Sequence, residues 1–176
     1  DKKKEIAISV DTYNEGTHFP KSPELGLLIK KIIRSSISDL ISKGVKPKYY
    51  FISFTCPKKY LNRSKFLKLI NSLKDEQNKY KIKISGGDTT NGNCLSFTII
   101  SLGYSSKIIK RNNVKLNDDI YISGNVGDSY LGHKFIKKKI KKFLLYEKNF
   151  FLKKYYLPNI PIKICELLKK FANSSV

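Results

Sequence analysis

Apolar residues recur at two different spacings over the first hundred positions. Residues 5–10, Glu5-Ile6-Ala7-Ile8-Ser9-Val10, read as a strand that ends in Asp11, and a loop follows over 12–20. Ser22-Pro23-Glu24 is a helix start: a capping hydroxyl, proline at the first helical position and an acid in the first turn. Leu25, Leu28, Ile29, Ile32, Ile33, Ile37 and Leu40 then repeat at helical spacing to about Lys43, and Gly44 marks the stop. At about 100° per residue, Asp39 projects to the side of Leu28 and Ile32. An unpaired carboxylate there is costly unless it finds a cation, a basic partner or a proton. Residues 49–54 form an aromatic strand, and 64–78 a second amphipathic helix with Phe66, Leu67, Ile70 and Leu73 inward. A strand over 80–84 delivers Ser85-Gly86-Gly87-Asp88-Thr89-Thr90, read as a glycine loop that can offer N–H groups to phosphate and oxygen to a hard cation. Residues 95–102 are a further strand.

Strands and helices thus alternate to residue 104, where the character shifts. Two units are expected, 1–104 and 105–176. In the second, residues 119–123 predict a strand running into Gly124-Asn125-Val126-Gly127-Asp128-Ser129. That pattern reads as an anion site at a helix N-terminus, though the Gly-Lys-Ser/Thr ending of a P-loop is missing. Residues 153–161 read as a turn-rich link and 162–172 as a helix.

Composition narrows the classes. Of 176 residues, 40% are hydrophobic, enough for a real core. There is no apolar run of membrane-spanning length and no signal-peptide core after the charged lead-in at 1–4. Cys56, Cys94 and Cys165 are far apart, lack metal-ligand spacing and suit a reducing cytoplasm. The charge is 35 − 14 = +21. A basic nucleic-acid-binding domain is therefore one reading. The lysines are nonetheless scattered, in short runs such as Lys137-Lys138-Lys139 and Lys141-Lys142, with no recognition motif, and read as solvated faces.

Three aspartates, Asp11, Asp39 and Asp88, each end an element expected to be buried. No Cys or His cluster accompanies them, so an all-oxygen ligand set selects magnesium or a similar hard ion. Carboxylates, a glycine turn and an arginine point to phosphoryl transfer by positioning and charge neutralisation.

The same residues resemble the thiamine-monophosphate kinase family. Ser9-Val10-Asp11 with Glu15-Gly16-Thr17-His18-Phe19-Pro20 resembles its first metal motif and substrate loop. Ser36-Ile37-Ser38-Asp39-Leu40, Gly44 and Pro47 resemble its metal-binding helix. Gly86-Gly87-Asp88-Thr89-Thr90 is similar to its signature loop. Lys110-Arg111-Asn112-Asn113-Val114-Lys115, Ile120-Tyr121-Ile122-Ser123-Gly124, Gly127-Asp128-Ser129 and Tyr156-Leu157-Pro158-Asn159-Ile160-Pro161 continue in order. The resemblance implies an α/β fold of the aminoimidazole-ribonucleotide synthetase-like superfamily. It implies an N-terminal ATP- and magnesium-binding and dimerisation domain over 1–104, truncated at its start, and the beginning of a C-terminal α/β domain over 105–176. It implies Ser9, Asp11, Asp39 and Asp88 as magnesium ligands, Gly87, Asp88 and Arg111 as ATP contacts, and His18 as a contact to thiamine phosphate. The implied activity is ATP-dependent phosphorylation of thiamine monophosphate by a cytoplasmic homodimer. Val10 departs from the family, which usually has a hydroxyl residue there. Two further metal motifs of the family would lie beyond the two ends, so the chain is expected to be a fragment inactive by itself. A sister enzyme of the superfamily, a selenophosphate synthetase or hydrogenase-maturation factor, is the alternative, although the reactive Cys of the former is missing.

Overall fold

The computed structural model describes residues 4–60, 62–140 and 144–176; part of the lead-in and the Lys141-Lys142 run lie outside them. Four strands make one mixed sheet: β1 (Glu5–Asn14), β2 (Pro47–Cys56), β3 (Lys83–Asn91) and β4 (Ser96–Ser105), in the order β1-β4-β2-β3. β4 is antiparallel to both of its neighbours, and β2 runs parallel to β3. Helices α1 (Leu25–Ser42) and α2 (Arg63–Tyr80) share the sheet's core side, and α2 is the crossover that parallel strands require. The α/β architecture is the one expected.

The core follows the two periodicities. Leu28, Ile29, Ile32, Ile33 and Ile37 of α1 are buried against Phe97 and Ile99 of β4 and Tyr50 and Ile52 of β2. Glu24, not Ser22, caps α1: its carboxylate accepts the N–H groups of Gly26 and Leu27. The inward stripe of α2 is Leu69, Ser72, Glu76 and Tyr80, while Phe66 and Leu67 are exposed. Glu76 is tolerated there because Arg34 donates to both its oxygens, at 2.9 and 2.8 Å. A third Arg34 nitrogen donates to the carbonyl of Pro158 and ties the C-terminal half to this pair.

Further expectations change. β1 continues to Asn14, so Asp11 lies within a strand and the loop is shorter. The Gly86–Gly87–Asp88 stretch is strand rather than loop, pairing with Phe51, Ile52 and Ser53. A Cβ at Gly87 would come 1.8 Å from the Ile52 carbonyl oxygen, so the close pairing requires glycine. Residues 119–123 form no strand: Ile120 and Tyr121 are 90% and 88% exposed and without a partner strand among the described residues. After β4 come α3 (Asp128–Ile136), α4 (Leu145–Tyr156) and α5 (Ile164–Phe171). α4 takes in residues 153–156, which sequence had given to the link, and packs against α3 and α1.

Candidate functional site

Alternation on β1 puts Ser9, Asp11 and Tyr13 on the side that faces α1, and Val10 and Thr12 on the open side. Near the C-terminal end of α1, Asp39 meets this row: the Ser9 hydroxyl donates to Asp39 Oδ2 at 2.8 Å. Asp39 is exposed rather than buried as its helical position suggested, because it overlies the polar part of an edge strand.

Asp11 is the strained member. It is half-buried, and its Oδ2 is buried with no hydrogen-bond partner among the described residues. Burial, then the neighbouring Asp39 charge, push its carboxyl above the ordinary range, against the hydroxyls of Ser36 and Ser9. Ser36 is braced from below by a fully buried Ser101, hydroxyl to hydroxyl at 2.8 Å. Two crowded carboxylates and a hydroxyl, with one orphaned buried oxygen, fit a hard divalent cation.

The row extends both ways. Tyr13, its hydroxyl pushed up to about 12 by burial and by Asp11, stands edge-on to the His18 ring at 5.8 Å. His18 is exposed and its Nδ1 accepts the Asn14 N–H at 3.0 Å, so Nε2 carries the hydrogen and can donate to an anion. At the other end, Lys43 is lowered by burial and by Arg111 and raised by Asp39. Ser174 donates to the Arg111 carbonyl and Ser175 to that of Ser42, which brings Arg111 to the C-terminal end of α1. Next to it is a cleft of about 420 Å³ lined by Lys107, Ile109, Asn113, Lys115 and Asn173 among others.

Gly87 and Asp88 are elsewhere. Asp11 is in register with Ile99, Ile99 with Ile52, and Ile52 with Gly87, across the whole sheet. Three strand spacings separate the two edges, about 14 Å. Asp88, one residue further on, shares the row of Ser53, Thr98 and Thr12 on the open face. The three aspartates thus do not converge within one chain, and no cluster of three His, Cys, Asp or Glu occurs among the described residues. Sequence reading had passed over Tyr13 and Lys43; the signal for Tyr13 is its two-residue step from Asp11 on the same strand.

Residues 1–104 match the family model described as AIR synthase related protein, N-terminal domain. Over 173 residues the chain is 34% identical to the thiamine-monophosphate kinase of Buchnera aphidicola subsp. Acyrthosiphon pisum, covering 97% of this chain and 53% of that protein. Over 176 residues it is 28% identical to the thiamine-monophosphate kinase of Escherichia coli strain K12, covering 99% and 53%. The crystal structure of thiamine monophosphate kinase from Aquifex aeolicus has the same fold, with a TM-score of 0.88 at 24% identity over 97% of this chain and 58% of that one. AaThiL complexed with AMPPCP and TMP gives a TM-score of 0.89, at 24% identity over 98% and 55%. The chain spans about half the length of the curated relatives it matches.

Proposed function

The chain belongs to the AIR synthase related protein family, and from that premise we propose that it is the ATP- and metal-binding part of a cytoplasmic thiamine-monophosphate kinase. The observation that carries the reading is the orphaned Oδ2 of Asp11 beside Asp39 and Ser9, an oxygen site that wants a divalent cation. Magnesium bound there would neutralise phosphate oxygens as charge shifts between attacking and leaving groups. Ser9, Asp11 and Asp39 would hold the ion. Arg111 would lie on ATP phosphate, and His18 Nε2–H would donate to the phosphate of thiamine monophosphate, whose oxygen would attack the γ-phosphorus as the bridging bond to the β-phosphate breaks and ADP leaves, without a covalent enzyme intermediate.

Gly87 and Asp88 belong to the ATP and metal set in this reading, and the sheet topology then favours a homodimer in which Asp88 completes a site in a second copy. Two features support pairing of copies. Both edge strands, β1 and β3, have a free edge among the described residues. One end of the face turned away from the helices is apolar, with Ile6, Ile8 and Val10 each more than half exposed and Tyr49 and Tyr104 beside them in the sheet.

The test is formation of thiamine diphosphate by the protein carrying this chain at its relatives' length. Product should appear with thiamine monophosphate, ATP and magnesium, and chelation of the metal should lower turnover at least about hundredfold. Undiminished turnover in excess chelator would remove the metal role, and ATP hydrolysis without transfer to thiamine monophosphate would remove the substrate.

A further inference from the structure

We propose that Tyr155 is a positioning residue for His18, so that the α3–α4 pair sets the geometry of the substrate loop; the proposal rests on the kinase reading above. Residue 18 is held from three directions. Its N–H donates to the Asn14 carbonyl at 2.9 Å, and its Nδ1 accepts from the Asn14 N–H. Both bonds are local to the loop. The third crosses 137 positions of chain: the Tyr155 hydroxyl donates to the His18 carbonyl at 3.0 Å. Phe19, 2% exposed in the core, pins the following Cα. With that end fixed and the Tyr155 bond on the carbonyl, the peptide plane between residues 18 and 19 cannot rotate freely, and that plane sets the direction in which the imidazole leaves the backbone.

Tyr155 is itself clamped. It is 4% exposed, and its ring stacks on His133 of α3 at 5.6 Å with 5° between planes. Lys31 Nζ of α1 sits over a face of the ring, 3.0 Å from its centroid. Gly132 makes the approach of α3 possible, since a Cβ there would lie 2.7 Å from Tyr155 Cβ and 2.2 Å from the Phe151 carbonyl oxygen. A ring fixed by three elements is a rigid post, and its one polar atom is spent on the loop that carries His18.

The experiment is Tyr155→Phe, which keeps the ring and removes one hydroxyl, in the protein at its relatives' length. The KM for thiamine monophosphate should rise about fivefold with the KM for ATP unchanged, the scale of one lost hydrogen bond. In a His18→Ala background the same substitution should change neither constant further, because Tyr155 acts through that imidazole. Amide exchange at residues 16–18 should accelerate by a similar factor. Turnover with an unchanged thiamine monophosphate KM, or an equal rise in both KM values, would overturn the positioning role. A fivefold rise that persists without His18 would overturn it too. A wild-type protein that makes no thiamine diphosphate would instead overturn the kinase reading on which the proposal stands.

Discussion

Asp11→Asn is expected to lower turnover at least about hundredfold while making the metal-free fold more stable. The two effects have one cause. Asp11 is half-buried against Asp39 with an orphaned oxygen, so its charge costs the fold and serves the site. Its carboxyl is raised above the ordinary 3.8. Between 3.8 and that raised value, the folded chain still holds a proton that the unfolded chain has released. Metal-free stability therefore falls as pH rises through this window, and above it the penalty is complete. Asn has the same size and no charge. Its melting temperature without divalent ions should exceed wild type by about 2 °C at neutral pH, and the gap should close below the window. Magnesium should then raise the melting temperature of wild type and not of the variant. A variant less stable than wild type at neutral pH, or one with turnover within about threefold, contradicts this account.

Glu76→Ala is expected to cost about 3–5 kcal/mol, a large share of the stability of a chain this size. Glu76 and Arg34 have side chains only 1% and 7% exposed and meet in two hydrogen bonds. Removing the carboxylate leaves the Arg34 guanidinium buried near the Tyr80 ring with the Pro158 carbonyl as its remaining acceptor among these contacts. Chemical denaturation should show the loss, and the pair Arg34→Met with Glu76→Leu should recover most of it, because apolar side chains of similar volume leave no buried charge unpaired. A single substitution costing under about 1 kcal/mol would mean that water reaches Arg34 and that the pair is not the tie between α1 and α2.

These two sites differ in how well the sequence announces them. Asp11 and Asp39 are visible because each is an acid on an apolar pattern, with Lys43 one turn beyond Asp39 the nearest base in sequence. Glu76 is hidden: on α2 alone it looks like a solvated charge, and its burial is legible only once Arg34 of α1 faces it. The stripe of α2 was misread for a related reason, since Phe66 and Leu67 form a good helical pattern on a first turn that lies off the core. The β1 end was misplaced because Thr12-Tyr13-Asn14 has loop composition, yet an edge strand with one open face tolerates it, and pairing with Phe97 and Ser96 carries it on. Residues 119–123 show the reverse: a strand pattern predicts a propensity, and pairing needs a partner. Which side of the sheet Asp88 occupies depends on strand order, which local pattern does not encode.

Strand order also supplies the most direct test. In the proposed homodimer, Asp11 and Asp39 of one copy and Asp88 of another hold a single ATP. Asp11→Asn and Asp88→Asn, each inactive alone, should be unfolded together and refolded as a mixture. In a mixed dimer one site collects both substitutions and the other collects neither, so random pairing should return about a quarter of wild-type turnover. Turnover that stays at the background of the two variants, with mixed dimers shown to form, would place Asp11 and Asp88 in the same chain's site and contradict the account.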